Sequence, residues 1–512
     1  MRDAFFLWHL EYLGILNRVD DGFEAPLWSA AAQAEPVTVA LIDTGIDVGH
    51  PNLAAALAGP QIDFGPAPGG VIHDPGGRSV AALRAALDDR APRVETIDAA
   101  LDGLLGDTRA QAARMGLDPD DLSKAVDNAL AARPDKKVDA AREVLSRLRS
   151  RSAFPGRTPV DPDAATLKAL GELKLDETDT ATITDLARAL AAGPVELPLE
   201  DPSRHFGAHG TATAGLICGR PAAESGFGAL PYRGANPHAR LLSYATPFGP
   251  EIRPILSALL AAYLSGAEVI AMPRGVLDIE GRAALAASPA RRTRIEHDDG
   301  TRLREDDRSA LARLKEDAAL LERLLRAIAL RRYLLLAAGN EGWPDRVAYP
   351  AAAVIGTPEA LIVGAETGDG RPAPYSNGHK LGSRLLTFVS DDAEVADADD
   401  LRIDGQGARD WDFGLGTEAA QVHPFAPLTT DLRGNWGYSA SARADAPGYV
   451  RGELRPALYT PFGGTSAATA LAAGTVALLV QAGKLPREGG QSTGQIRRAM
   501  EEANLRTPQP DA

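Results

Sequence analysis

Residues 463–470 read Gly463-Gly464-Thr465-Ser466-Ala467-Ala468-Thr469-Ala470 and run directly into an apolar segment from Leu471 to Val480. Two successive glycines let the backbone turn tightly and approach a ligand closely. The alanine-rich run behind them predicts a buried helix that starts at or near the serine. Ser466 then sits at a helix N-terminus, where free N–H groups and the positive end of the dipole suit an oxygen that becomes negative during acyl transfer. A serine there can equally serve as a plain N-cap, so this motif alone does not decide its role.

Two other stretches add weight to the chemical reading. Val37-Thr38-Val39-Ala40-Leu41-Ile42-Asp43-Thr44-Gly45 predicts an apolar strand that delivers a carboxylate at its C-terminal end, just before a glycine turn. His209-Gly210-Thr211-Ala212-Thr213-Ala214-Gly215 puts an imidazole at the start of a second small-residue helix. Asp, His and Ser in that chain order is one of the orders by which unrelated folds assemble the same triad.

On these residues the chain resembles a subtilisin-like serine peptidase. The matching motifs are Asp43-Thr44-Gly45-Ile46-Asp47 with His50-Pro51-Asn52-Leu53, His209-Gly210-Thr211 with Ala214-Gly215, Ala337-Ala338-Gly339-Asn340-Glu341-Gly342, and Gly464-Thr465-Ser466-Ala467-Ala468. The resemblance implies that Asp43, His209 and Ser466 are the catalytic residues and that Asn340 helps hold the oxyanion. It also implies that Met272-Pro273-Arg274-Gly275, standing where the family usually has Ser-Leu-Gly, contacts substrate. Pro273 has no N–H to give, so specificity is not transferable from relatives. Ala470 replaces the usual proline after the serine motif, and Ala212 a common histidine. Asn52 stands where many relatives carry an aspartate calcium ligand, and neither a cofactor nor a metal is expected.

The remaining strand and helix signals fit the same fold class. Arg240–Ala245, Ala267–Met272, Tyr333–Ala338 and Ala360–Ala365 predict strands, and Ala310–Leu330 predicts an amphipathic helix. Strands that alternate with helices predict an α/β architecture: a subtilisin-like three-layer fold with a mostly parallel sheet flanked by helices, its site at the carboxyl ends of the strands. From Ser79 to Gly193, apolar residues at helical spacing, among them Val126, Leu130, Val138, Ala141, Val144 and Leu148, predict four or five amphipathic helices. The expected organisation is residues 1–65 as the first part of a catalytic domain, 66–200 as a mostly helical insertion, and 201–512 as the second part with insertions near 277–305 and 391–455.

Composition excludes several classes. A net charge of -15 argues against nucleic acid as a partner. No apolar run of transmembrane length is expected, and the N-terminal residues lack the pattern of a signal peptide. Trp8-His9-Leu10 and Trp28 resemble the opening of the family's catalytic domain, with no propeptide ahead of it. Cys218 is the single cysteine, so no intrachain disulfide forms and it is expected to be a small core residue. A cytoplasmic enzyme is the simplest expectation.

His205 and His209 are four apart, but Phe206 occupies the place where a zinc peptidase needs glutamate. Asp391–Asp400, with six acids in ten residues, reads as a solvated loop because it lacks the glycine and glutamate spacing of a calcium loop.

The expected activity is peptide hydrolysis through an acyl-enzyme on a protein or peptide substrate, with a regulatory protein partner at the helical insertion. A lipase-type esterase would show Gly-x-Ser-x-Gly and the order Ser, Asp, His, which this chain does not. A partner-binding scaffold with the same fold and incidental or no activity stays open at this level.

Overall fold

Val39, Ala40, Leu41 and Ile42 are aliphatic in succession, the composition of a strand buried on both faces. In the computed structural model of the protein they form β1 (Thr38–Asp43), at the middle of a nine-stranded sheet. The residues described are 7–19, 22–74, 82–83, 86–87, 91–115, 121–149, 157–198, 208–224, 228–247, 252–276, 308–391, 426–433, 437–438 and 458–507. The other strands of the sheet are β2 (Ile62–Asp63), β3 (Val71–Asp74), β4 (Val195–Pro198), β5 (Arg240–Ala245), β6 (Val269–Met272), β7 (Tyr333–Ala337), β8 (Ala360–Glu366) and β9 (Leu385–Val389).

Their order is β9-β8-β7-β6-β1-β5-β2-β3-β4. From β9 to β2 every pair is parallel, whereas β3 runs antiparallel to β2. Side chains alternate across a strand, so β1 feeds two cores. Val39 and Leu41 pack with the helices Ala208–Cys218 and Gly464–Gln481 on one face. Ala40 and Ile42 pack with the helices Arg253–Leu264 and Arg308–Ala329 on the other. The predicted three layers are these.

The helix Gly464–Gln481 is apolar all round because it lies inside the fold. By length and composition it could cross a bilayer, which corrects the expectation that no run reaches that length, but its apolar window is 94% buried within the protein. It is a core helix, packed on the sheet and against the helix Ala208–Cys218.

Residues 66–200 do not pack as one body. β3 and β4 pair with each other and extend the main sheet. Leu170, Leu173, Ile183, Leu186 and Ala187 share the core with Tyr244, Ile255 and Tyr263. The docking is sealed by Tyr263 Oη, which donates to Ala169 O at 3.1 Å, and by an Arg323–Asp179 ion pair. A separate small core, including Leu83, Ile97, Leu101, Leu104, Val126, Ala141 and Val144, belongs to the segment 82–149. Among the described residues between 94 and 191 there are five helices of the expected kind: Val94–Met115, Asp121–Leu130, Lys137–Arg149, Ala164–Glu172 and Glu177–Ala191.

The expected insertion 391–455 also contains residues that belong to the buried interior, among them Asp391, Thr429 and Thr430. Leu428–Thr430 pairs antiparallel with Tyr459–Pro461, and this ribbon lies on the helix that carries His209. Thr429 Oγ1 and Thr430 Oγ1 donate to the carbonyls of Ala212 and Thr211 at 2.6 and 2.7 Å.

Candidate active site

Asp43 is the last residue of β1, at the carboxyl end where an open α/β sheet leaves its crevice. It is 1% exposed. Its carboxylate accepts from Thr44 N at 2.6 Å and Thr213 Oγ1 at 3.2 Å, and both its oxygens lie against His209 Nδ1, at 2.8 and 2.9 Å. Burial pushes the carboxyl pKa up, but the opposing effects of His209, its hydrogen bond, the Thr44 N–H and the Arg274 charge hold it below the usual range. An ionised carboxylate can only accept, so His209 carries its proton on Nδ1 and leaves Nε2 as an acceptor.

His209 is brought to Asp43 by close packing of two glycines. A Cβ on Gly210 would lie 2.0 Å from Gly45 O, and Gly45 itself takes a φ of +93°. The imidazole and the Phe462 ring meet edge to face at 5.3 Å between centroids, and Tyr438 continues this wall at 5.9 Å from Phe462. Ser466 is 8% exposed, in the first turn of the helix Gly464–Gln481, whose N-cap is Gly463. Its Oγ makes no hydrogen bond among the described residues, and its N–H is one of the first-turn donors a helix leaves without an internal partner.

The asparagine is oriented by the residue before the serine. Thr465 N and Thr465 Oγ1 both donate to Asn340 Oδ1 at 2.8 Å, and Gly339 N donates to Thr465 Oγ1 at 3.2 Å. A backbone N–H only donates, so the atom it meets is the amide oxygen and the assignment of the two ends is fixed. Among the described residues Nδ2 meets no acceptor, and the residue is exposed. Asn340 does not itself adopt left-handed backbone; Gly339 and Gly342 take the positive φ of this turn, at +100° and +70°.

The structure thus pairs Asp43 with His209 and Asn340 with Thr465, the residue before Ser466, and sets the Phe462 that precedes the serine turn against the His209 ring. The four residues expected to meet substrate behave differently: Met272, Pro273 and Arg274 are buried and only Gly275 is exposed. Met272 belongs to the core. Arg274 Nη1 donates to Thr246 O and Oγ1 at 3.0 and 2.9 Å, and Nη2 to Pro247 O at 2.9 Å. Thr246 N in turn donates to Asp43 O at 2.7 Å. Arg274 therefore braces the strand end that carries Asp43 and supplies it with positive charge, a role no motif disclosed.

Other sequence expectations resolve as follows. His205 and residues 392–400 lie outside the described residues. Asp391, read as the first acid of a solvated loop, is instead 9% exposed and bonded to the serine turn. Cys218 is buried, and burial pushes its thiol up to about 12, an inert core position. Asn52 spends both ends of its amide on the protein, accepting from Tyr459 Oη at 2.7 Å and donating to Arg220 O at 2.7 Å. Among the described residues no three His, Cys, Asp or Glu side chains are grouped to hold a metal.

The Peptidase_S8 profile, described as the subtilase family, matches residues 34–505. No curated protein matches the sequence. Among solved structures, the serine protease of Aeromonas sobria is 16% identical with a TM-score of 0.38, covering 87% of this chain and 47% of its own. This chain therefore spans about half the length of that relative. The nisin leader peptidase of Lactococcus lactis is 13% identical with a TM-score of 0.39, covering 96% and 86%. The epidermin leader peptide processing serine protease of Staphylococcus aureus is 13% identical with a TM-score of 0.40, covering 92% and 71%.

Proposed function

The chain belongs to the subtilase family, and from that premise we propose that it is a serine endopeptidase that cleaves peptide bonds through an acyl-enzyme. The observation that carries the reading is the pairing of a buried, ionised Asp43 with His209 Nδ1 at 2.8 Å. That bond fixes the one tautomer in which Nε2 can take the Ser466 proton.

In this reading Ser466 Oγ attacks the carbonyl carbon of the substrate while His209 Nε2 removes its proton. The charge that builds on the carbonyl oxygen is met by Asn340 Nδ2 and the Ser466 N–H. Asp43 stabilises the imidazolium, which then protonates the leaving amine. A water activated by the same imidazole releases the acyl group from Ser466.

Labelling of the purified chain with a fluorophosphonate, followed by mapping of the modified residue and of cleavage products from an unstructured protein, tests the proposal. Label on Ser466 together with internal cleavages supports an endopeptidase. Absence of label from a folded chain would favour the scaffold alternative. We further propose that the segment 82–149 restrains or directs access to the site. It has a core of its own, and the helix Val94–Met115 packs against β4, the strand that precedes the His209 helix in the chain.

A further inference from the structure

Behind the nucleophile lies a set of side chains that the triad and oxyanion donors do not use. Where β9 ends, Ser390 and Asp391 pass beneath residues 463–464. Asp391 Oδ1 accepts from Gly464 N at 3.0 Å and from Tyr375 Oη at 2.6 Å. Ser390 Oγ donates to Gly464 O at 2.9 Å. Gly464 is therefore held at both its N–H and its carbonyl by one dipeptide. Ser390 is 1% exposed and Asp391 is 9% exposed. The fit leaves no room for a side chain at 463, because a Cβ there would lie 2.2 Å from the Asp391 carboxylate.

A carboxylate is a costly group to bury beside a centre where negative charge develops. Its use has to bring something a neutral acceptor would not. A hydrogen bond to an ionised acceptor is roughly twice as strong as a neutral one, and the peptide it grips needs holding. Gly464 adopts a φ of +76°, and the next residue, Thr465, aims Asn340 through both its N–H and its hydroxyl. The residue after that is the nucleophile. Rotation about Gly464 would therefore move both oxyanion donors at once.

We infer that Asp391, clamped by Tyr375 and assisted by Ser390, is a positioning residue that presets the Gly464–Ser466 turn for oxyanion binding. It touches no reacting atom and acts through Gly464. The inference rests on the serine endopeptidase reading, so its test includes a readout that does not depend on hydrolysis.

The experiment compares the full-length wild type with Asp391→Ala, Asp391→Asn and Tyr375→Phe. It measures kcat and KM on an unstructured peptide, the rate of fluorophosphonate labelling, and amide hydrogen exchange over residues 463–466. A displacement of about 1 Å at a catalytic centre lowers rates by up to roughly 100-fold, so Asp391→Ala is expected to lower kcat and labelling about 10- to 100-fold with little change in KM. Exchange at Gly464 should be faster. Asp391→Asn keeps an oxygen that can accept the Gly464 N–H but not the charge that strengthens the bond, so its rate should lie between those of the alanine variant and the wild type. A folded Asp391→Ala protein with wild-type kcat, or an Asp391→Asn protein as slow as the alanine variant, overturns the inference. If Asp391→Ala does not fold, Tyr375→Phe, which removes a single oxygen, is decisive: an unchanged labelling rate refutes the clamp. If the wild type takes no label at all, the enzymatic reading has failed, and Gly464 exchange alone judges the positioning role, with equal exchange in both proteins counting against it.

Discussion

Asn340 offers two effects that one substitution confounds and a second separates. In Asn340→Ala the two Thr465 donors, both 2.8 Å from Oδ1, lose their acceptor. At about 1 kcal/mol net for each neutral hydrogen bond, the stability loss is up to about 2 kcal/mol, reduced where water reaches the exposed site. The same change removes Nδ2, the donor proposed for the oxyanion. Loss of one such donor lowers kcat roughly 10²- to 10³-fold, about 2.7–4 kcal/mol, a range taken from subtilisin itself, a family relative, and not worked from this chain. Asn340→Asp separates the two effects. It retains the oxygen that accepts from Thr465, so stability should return to within about 0.5 kcal/mol of wild type, the scatter of an ordinary surface change. It also puts a second oxygen where Nδ2 donated, so kcat should remain as low as in the alanine variant or lower. Steady-state kinetics on an unstructured substrate, paired with denaturant unfolding, reads both quantities. The reasoning is refuted if Asn340→Asp retains wild-type kcat, or if Asn340→Ala raises KM and leaves kcat unchanged.

Ser466→Ala is expected to abolish nearly all hydrolysis while the protein stays folded, because one small hydroxyl is lost without opening a cavity; cleavage at the wild-type rate would rule out Ser466 as nucleophile. His9 is fully buried with neither ring nitrogen bonded among the described residues, and burial pushes its pKa down to about 3. Its folded pKa lies below the unfolded 6.5, so the unfolded chain takes up the proton first and stability falls as pH drops below about 6.5. At pH 5 this amounts to on the order of 2 kcal/mol. His50, pushed down to about 4 by burial, acts in the same direction. His9→Leu should therefore narrow the stability difference between pH 7.5 and pH 5 by a similar amount, and an unchanged difference would contradict the assignment. Replacing residues 82–149 by a Gly/Ser linker should leave a folded protein that cleaves faster or less selectively; unchanged rate and selectivity would count against control by that segment. Removing 66–200 should be far more damaging. It strips β3 and β4 and the buried Leu170, Leu173, Ile183 and Leu186, roughly 6–12 kcal/mol at about 1.5–3 each, comparable to the whole stability of a typical domain.

Sequence alone determined what depends on local pattern. The aliphatic run before Asp43, the small-residue helices that begin at His209 and Ser466, and the strand ahead of Asn340 each state their own conformation. Periodicity and turn chemistry act over a few residues. The order of the motifs was enough to set the fold class and to single out the Asp43–His209 pair. What contact decided was hidden from that reading. Arg274 looked like a substrate contact because of its place in a motif, and folding turned it toward Thr246 and Pro247. Asp391 looked like one more acid in a solvated run, since nothing local distinguishes it from Asp392. It is separated from Gly464 by 73 residues and from Tyr375 by 16, and only the end of β9 brings the three together. The same holds for residues 66–200, whose helices were legible one by one. Whether a helix packs on itself or on the main sheet depends on which apolar face it meets, and only the tertiary fold supplies that face.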